Sequence, residues 1–380
     1  MIVAPYYLID EKALENNAKK CAAISQMTGA KVLLALKAFC LPAVFETLKP
    51  YLSGVCASSV HEARLGAEFF GKTVFSYAPA FSEADFLAIL ESSTHISFNS
   101  FSQVKQFDSY IHKNRKSHQF GIRINPEYSE VKTDLYNPCK KHSRLGVRAS
   151  DFDMGSFKQL DGLHLHALCG GDLAQLKRLL EHVELQFARA LYQAKWLNLG
   201  GGHMLCEPHY DVVELCDVLL AFKNKYDLEL ILEPGEGLVV AAGALVSTVL
   251  DIVENDGSIA ILDVSATAHM PDILEMPYRA PIKGGAKAGE KEYTYTLAGP
   301  TCLSGDVMGT YSFDYPLCVG SQVVFEEMAA YTFVKSTQFN GIKHPSLVVK
   351  RVNGNLELIK RFDYSDFLGA LHQDEIFIKF

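Results

Sequence analysis

The stretch 31–40, KVLLALKAFC, decides how the rest of the chain is interpreted. Its residues 32–36 form an apolar run, which predicts a buried strand, and Lys37 follows directly. A lysine at such a strand end is either a surface residue with its stem along apolar neighbours or a group placed for chemistry. The sequence on either side of this stretch bears on that choice.

The pattern of a short apolar run followed by a helical stretch recurs along the chain. The runs are VLLALKA (32–38), GVCASS (54–59), VFSYAPA (74–80), HISFNS (95–100), FGIRINP (120–126), GLHLHAL (162–168), WLNLGGG (196–202) and ELILEPGEG (229–237). Eight βα units within roughly 200 residues predict an α/β protein with a parallel (β/α)8 barrel of the TIM type, rather than a doubly wound sheet.

Most of these runs are apolar until their C-terminal ends, where polar or glycine residues appear. The residues at the ends are Lys37, Ser58, Asn99, Arg123, His166, Gly200 to Gly202 and Glu233. The C-terminal ends of barrel strands meet at one mouth, which is where barrel enzymes have their active sites. The sequence therefore predicts one active site built from these ends.

After about residue 240 the runs become short and β-branched, which is typical of an antiparallel β domain. We predict a barrel domain over residues 12–240 and a β-barrel or sandwich domain over 241–380, joined by residues 1–11. The polar loop 126–143 is longer than most barrel loops, and it is interpreted either as a mobile lid or as a plain surface excursion.

Composition narrows the classes of function. The 380 residues carry a net charge of −8, which argues against binding to nucleic acid or an anionic membrane and suits a cationic ligand. The nine cysteines are odd in number and contain no CxxC pair, so we expect reduced thiols and a cytoplasmic location. Neither a signal peptide nor a membrane-spanning run is expected.

Two motifs of the predicted barrel suit a flat, phosphorylated ligand. LNLGGGH (197–203) has three glycines whose N–H groups cradle a phosphate, or which simply make a tight turn. LHLHAL (163–168) has two histidines on one face, and we interpret His166 as a ring stacked on a cofactor and His164 as a hydrogen-bonded core residue. Because no further ligand clearly completes a metal site, no metal is predicted.

Three further stretches contain candidate groups. Glu233 in LEPGEG (232–237) either keeps a pyridine nitrogen protonated or forms a structural salt bridge. GPTCLSGDVMG (299–309) offers the Cys302 thiol and the Asp306 carboxylate, and AAYTFVKSTQFNG (329–341) offers Tyr331.

In this order, LALKA, HLHALC, LGGG, EPG, GPTC and YTFVKSTQFNG resemble the motifs of the fold-type III pyridoxal-phosphate decarboxylases, which are related to alanine racemase. The resemblance covers nearly the whole chain. It implies a Schiff base between Lys37 and pyridoxal 5'-phosphate, with His166 stacked on the ring and Glu233 at the ring nitrogen. It also implies a set of further cofactor-binding residues: Arg123, Gly200, Gly201, Gly202 and Tyr331.

The same resemblance implies decarboxylation through a quinonoid intermediate, with Cys302 of a neighbouring subunit as the proton donor to Cα. The expected assembly is thus a homodimer whose active sites are shared across the interface. SATAHMPDILEMPYRAP (265–281) and CLSGDVMG (302–309) are most similar to the branch of the family that makes polyamines in bacteria. That similarity implies a small carboxylated polyamine as substrate, and carboxylates to bind its ammonium groups: Asp272, Asp306, Glu236 and Glu275.

Three alternatives stay open. Relatives that act on ornithine or diaminopimelate usually carry arginine where this chain has Glu236, so Glu236 counts against a diaminopimelate decarboxylase. A non-catalytic paralogue that binds pyridoxal phosphate tends to lose the lysine, the pyridine acid or the cysteine, and Lys37, Glu233 and Cys302 are all present. A cofactor-free barrel enzyme acting on phosphorylated sugars would not need the β domain.

Overall fold

The computed structural model describes residues 2–372. The strands are β1 (Tyr6–Asp10), β2 (Lys31–Ala35), β3 (Gly54–Ala57), β4 (Thr73–Tyr77), β5 (His95–Phe98), β6 (Gln119–Asn125), β7 (Val147–Arg148), β8 (Gly162–Leu165), β9 (Trp196–Asn198), β10 (Glu229–Leu232), β11 (Gly243–Glu254), β12 (Ser258–Leu262), β13 (Ala286–Lys287), β14 (Tyr293–Ala298), β15 (Val307–Phe313), β16 (Gln322–Glu326), β17 (Ser346–Lys350) and β18 (Leu356–Lys360).

The helices are α1 (Glu11–Thr28), α2 (Phe45–Leu48), α3 (Val60–Leu65), α4 (Glu83–Ser92), α5 (Phe101–Gln106), α6 (Asp108–Asn114), α7 (Met154–Phe157), α8 (Leu173–Leu191), α9 (Val212–Tyr226), α10 (Glu236–Val239), α11 (Ala266–His269), α12 (Asp272–Glu275) and α13 (Tyr364–Leu371). Within the described range, none of them is both long and apolar enough to cross a lipid bilayer. The chain forms two compact units, one over residues 14–240 and one made of residues up to 13 together with those from 241 onwards.

The unit over residues 14–240 is a closed parallel barrel. Its strands follow the order β2-β3-β4-β5-β6-β8-β9-β10, and β10 pairs with β2 to close the ring. Each of the eight predicted runs overlaps one of these strands, so the predicted (β/α)8 barrel is confirmed. Side chains on β3, β5 and β8 are buried throughout, as expected when helices cover the outer face of a parallel sheet.

The single tryptophan fills the barrel interior. Trp196 on β9 is 2% exposed and packs with Leu33, Phe75 and Ile231. A Cβ atom on Gly162 of β8 would lie 2.0 Å from Trp196 Cδ2, so only glycine leaves room for the indole at that position. The filled interior fixes β8 against β9 just below the ends that carry the predicted site.

The second unit is built on a mostly antiparallel sheet. Its strand order is β13-β15-β14-β12-β11-β1-β17-β18, with β16 paired to β11. Only the pairs β1–β17 and β12–β14 are parallel among the pairings of these strands in the described residues. The N-terminal strand β1 pairs with β11 and β17, so it belongs to this sheet.

Candidate active site

The barrel brings four predicted groups together at its C-terminal mouth. Lys37 comes shortly after β2, His166 directly follows β8, and Glu233 directly follows β10. The exposed Lys37 side chain places Nζ 3.4 Å from His166 Nε2. The glycine loop after β9 reaches the same place, because Gly201 N–H donates to His166 Nδ1 at 2.9 Å.

His166 is held from two sides. Because Nδ1 accepts the hydrogen bond from Gly201 N–H, the hydrogen of the neutral imidazole is on Nε2. Burial, and after it the positive charges of Lys37 and Arg123, hold the pKa of His166 well below its ordinary value, so the ring is neutral at pH 7. Arg123 donates to the His166 carbonyl oxygen at 3.0 Å and lies over the Tyr77 ring, 4.8 Å from its centroid.

Glu233 is a buried carboxylate, 7% exposed, that accepts a 2.6 Å hydrogen bond from Asn198 Nδ2. Burial raises its pKa, and the Asn198 bond and the charge of Lys37 oppose that rise. Its one ion-pair contact among the described residues is His164 Nε2 at 3.9 Å, and burial keeps the pKa of His164 so low that this ring is neutral. A structural salt bridge, the alternative role for Glu233, is therefore absent from the described residues.

His164 itself differs from the prediction. It is buried, as expected for a core histidine, and packs edge-on against Tyr77. Neither ring nitrogen has a hydrogen-bond partner among the described residues, so the predicted hydrogen bonding is wrong.

The three glycines of the loop 200–202 are required by close packing. A Cβ atom would lie 2.5 Å from Leu165 O at Gly200, 2.3 Å from Glu233 O at Gly201, and 2.1 Å from Leu168 O at Gly202. Gly200 N–H donates to Asn198 Oδ1, and Gly201 N–H to His166 Nδ1. Both N–H groups are thus bonded within the protein. Of the three glycines predicted to bind phosphate, Gly202 is the one whose N–H has no acceptor among the described residues.

Cys302 and Tyr331 belong to the second unit. The Cys302 side chain is exposed, and the backbone N–H of the same residue donates to Asn340 Oδ1 at 2.8 Å. Tyr331 has φ 52°, a left-handed conformation that a bulky residue rarely adopts and that is found preferentially at functional positions.

The four predicted substrate-binding carboxylates have different surroundings. Asp272 and Glu275, one turn apart on α12, both bind the ammonium of Lys335. Asp306 is 2% exposed and accepts hydrogen bonds from Ser265 Oγ at 2.9 Å and from Thr301 Oγ1 at 2.6 Å. Glu236 is exposed at the first position of α10, in the barrel unit.

The surroundings of Asp306 point to a structural role. Two backbone N–H groups, those of Thr267 and Thr301, also donate to its carboxylate. A Cβ atom on Gly299 would lie 2.2 Å from Asp306 Oδ2, so the loop is built around this side chain. These contacts speak against direct binding of a substrate ammonium by Asp306.

Sequence reasoning missed Asn198, Tyr77 and Lys335. Asn198 carried a usable signal, since it lies two residues after Trp196 on the same strand and therefore on the same inward face. A fully buried amide there needs partners, and the adjoining glycine loop and Glu233 are the groups within reach.

The loop 126–143, predicted as a lid or a surface excursion, is bonded to α8 and to the segment that follows β8. Ser129 Oγ donates to the carbonyl of Ala167 at 2.7 Å, and Glu130 forms an ion pair with Arg178. The Tyr128 ring stacks on His182 with centroids 3.7 Å apart. Opening of this loop stays a prediction.

The barrel-mouth residues fit pyridoxal phosphate. Glu233 is a buried carboxylate without a cationic partner in ion-pair contact among the described residues, and a protonated pyridine nitrogen is such a partner. Lys37 would supply the amine that carries the cofactor, and the Gly202 N–H, which has no acceptor among the described residues, would be available for its phosphate. No cluster of three or more metal-ligating side chains occurs between residues 2 and 372.

Comparison with known proteins agrees with this fit. Residues 7–329 match the family model described as pyridoxal-dependent decarboxylase, C-terminal sheet domain. The chain is 39% identical to the carboxynorspermidine/carboxyspermidine decarboxylase of Campylobacter jejuni, covering 96% of this chain and 98% of that one. It is 42% identical to the carboxyaminopropylagmatine decarboxylase of Synechocystis, covering 97% and 95%.

The solved structures include a similar chain. The crystal structure of carboxynorspermidine decarboxylase from Campylobacter jejuni, complexed with norspermidine, superposes with a TM-score of 0.89 at 37% identity, over 97% of this chain and 100% of that one. The diaminopimelate decarboxylase of Thermoplasma acidophilum is only 23% identical, over 76% of this chain. This chain belongs to the pyridoxal-dependent decarboxylases, and its cofactor is pyridoxal phosphate.

Proposed function

We propose that this enzyme decarboxylates a carboxylated polyamine, carboxynorspermidine or carboxyspermidine, to norspermidine or spermidine in bacterial polyamine biosynthesis. One structural observation carries the chemistry: Glu233 is buried at the barrel mouth without a cationic partner in ion-pair contact among the described residues, beside Lys37 and His166. The substrate class is supported by the Campylobacter jejuni enzyme, which is 39% identical over nearly the whole chain and has a solved structure with norspermidine.

In this proposal each barrel residue has one task. Lys37 would hold the cofactor covalently through its side-chain amine. Bound pyridoxal phosphate supplies an electron-poor ring that stabilises the electron pair left on Cα when CO2 departs. Glu233 would keep the ring nitrogen protonated, and the neutral His166 ring would lie against the cofactor.

The remaining residues would bind the phosphate or supply a proton to Cα. Gly202 N–H and the Tyr331 hydroxyl would hold the phosphate, and Arg123 fixes the His166 backbone through its carbonyl. After CO2 has left, Cα takes up one proton to give the product amine, and we assign the Cys302 thiol as the donor. The exposed position of Cys302 supports this role.

We propose Asp272 and Glu275 for the substrate's ammonium groups. They already bind one ammonium, that of Lys335, which supports their ability to bind another. Substrate binding would shift Lys335 away from at least one of them. Glu236 adds negative charge near the barrel mouth, and Asp306 acts through the loop that it organises.

The sequence similarity also favours a second candidate substrate, carboxyaminopropylagmatine, because the relative that acts on it is 42% identical. Agmatine ends in a guanidinium, which is planar and binds carboxylates in a bidentate manner, whereas spermidine ends in an ammonium. Diaminopimelate is disfavoured by Glu236 and by the low identity to the enzymes that use it.

We further propose a homodimer with active sites shared across the interface, and a cytoplasmic location. The dimer is supported by the exposed Cys302, whose thiol would serve the partner subunit's Lys37. The location is supported by nine cysteines that form no disulfide in the described residues.

The test is to purify the protein, treat it with borohydride and locate the cofactor by peptide mass spectrometry. We expect the cofactor on Lys37. Assays with carboxynorspermidine, carboxyspermidine, carboxyaminopropylagmatine and diaminopimelate then identify the substrate. A protein that turns over diaminopimelate alone contradicts the substrate proposal, and a protein without cofactor contradicts the mechanism.

A further inference from the structure

Asn198, the last residue of β9, is fully buried between the glycine loop and Glu233. Neighbouring positions on this strand, Trp196 and Leu197, are apolar, so a polar side chain here has a reason beyond packing. The question is what the amide does.

The two ends of the amide bind different partners. Nδ2 donates to Glu233 Oε1 at 2.6 Å, and Oδ1 accepts from Gly200 N–H at 2.8 Å. The backbone closes the same ring, because Glu233 N–H donates to Gly200 O at 2.8 Å. Glu233 and the glycine loop are thus joined both through the backbone and through Asn198.

This arrangement leaves the amide only one orientation. Gly200 N–H is a donor and must face the amide oxygen, so the NH2 group must face Glu233. The Glu233 carboxylate is therefore held by Asn198 through Oε1, while Oε2 lies 3.9 Å from the neutral His164 ring. An amide cannot ionise, whereas an acid in its place would share a proton with Glu233.

We propose that Asn198 is a positioning residue that keeps Glu233 ionised and aimed at the cofactor's ring nitrogen, and that couples this carboxylate to the glycine loop. The inference rests on the proposed role of Glu233. The Asn198 bond is also the largest of the influences that oppose the rise of the Glu233 pKa caused by burial. Through Gly201 N–H, the same loop fixes the His166 ring, so it orients both groups that face the cofactor.

Two substitutions of similar size test the proposal. Asn198→Asp keeps an acceptor for Gly200 N–H but puts a second carboxylate against Glu233, and Asn198→Leu removes both bonds. We expect kcat to fall about 10- to 100-fold in each, the loss typical of a hydrogen bond to a charged group, with KM nearly unchanged. The pH at which the absorption of the bound cofactor changes should shift by about one unit or more.

A double-mutant cycle separates positioning from packing. If Asn198 acts through Glu233, Asn198→Leu should lower kcat much less in a Glu233→Gln background than in the wild type. If Asn198 were purely structural, Asn198→Leu would lower kcat by the same factor in both backgrounds. It would also leave the pH dependence of the cofactor absorption unchanged. That result overturns the inference.

The matched control is Asn17→Asp, a buried asparagine of the same barrel unit whose amide donates to Leu238 O and Val240 O. It should leave the absorption–pH curve unchanged even if it lowers the melting temperature. If the wild type binds no pyridoxal phosphate, the proposed function fails. If the wild type binds it and the Asn198 variants titrate like the wild type, only this inference fails.

Discussion

Lys37 Nζ lies 3.4 Å from His166 Nε2, while Gly201 N–H occupies the other nitrogen of the same ring. The glycine loop therefore orients the His166 ring, and the lysine proposed to carry the cofactor lies against that ring. The lowered pKa of His166 keeps the ring uncharged at pH 7, so the ring adds no second positive charge beside Lys37.

Replacing Lys37 should separate cofactor attachment from folding. We expect Lys37→Ala to lose nearly all turnover and all borohydride-fixed cofactor, because no amine remains to bind it covalently. Because the Lys37 side chain is exposed, the far-UV circular dichroism of the variant should match that of the wild type. Lys195→Ala, which removes an exposed lysine paired with Asp161, is the control and should keep full activity.

A shared active site predicts complementation between two inactive variants. Lys37→Ala and Cys302→Ala homodimers should each be nearly inactive. After mixing under conditions that exchange subunits, half of the dimers are mixed and hold one complete site, so activity should recover to about a quarter of the wild-type value. Absence of recovery in a mixture proven by native mass spectrometry to contain mixed dimers contradicts the shared site.

Two carboxylates should respond differently to substitution. Asp272→Asn should raise KM for the polyamine about tenfold, equivalent to about 1.4 kcal/mol, and barely change the unfolding midpoint, because its ion pair with Lys335 is partly exposed. Asp306→Ala should cost about 2–4 kcal/mol of folding free energy, since it leaves buried donors unsatisfied.

Steady-state kinetics and urea unfolding measure both effects. If Asp272→Asn leaves kcat/KM for the polyamine unchanged, Asp272 does not bind the substrate. If Asp306→Ala raises KM and leaves the unfolding midpoint unchanged, Asp306 does not have the structural role that its contacts indicate.

Three buried histidines predict loss of stability in weak acid. Desolvation lowers the pKa of His95, His203 and His269 from 6.5 to about 4. As the pH falls below about 6.5 the unfolded chain takes up protons that the folded chain refuses, so stability present at higher pH is lost down to about pH 4. Within this window, each histidine changes the free energy of unfolding by about 1.4 kcal/mol per pH unit.

Urea unfolding at several pH values across this window measures the slope. His203→Met should lower it by the share of one histidine, because the unfolded chain then binds one proton fewer. A slope that is the same in wild type and His203→Met contradicts the role of His203.

The barrel could be predicted because each strand repeats one local pattern, an apolar run that ends in a polar or glycine residue. Lys37, His166 and Glu233 were found from their positions at such ends. The hydrogen bonds could not be found this way, since Asn198 meets Glu233 only after β9 and β10 have paired.

The glycine loop shows a second limit of sequence reasoning. Three glycines fit both a phosphate cradle and close packing, and only the three-dimensional structure reveals that two N–H groups are used inside the protein. Likewise, an acidic residue in a loop sequence does not disclose whether neighbouring hydroxyls will bind it, as Ser265 and Thr301 bind Asp306.

The glycine that makes room for the indole in the barrel has a practical consequence. Trp196 is the chain's only tryptophan, so emission excited at the red edge of protein absorption comes from a single place inside the barrel. A cofactor that absorbs near-ultraviolet light, bound above β9, would quench this emission by energy transfer. The wild-type protein therefore contains its own fluorescent probe of cofactor loading, and it needs no label.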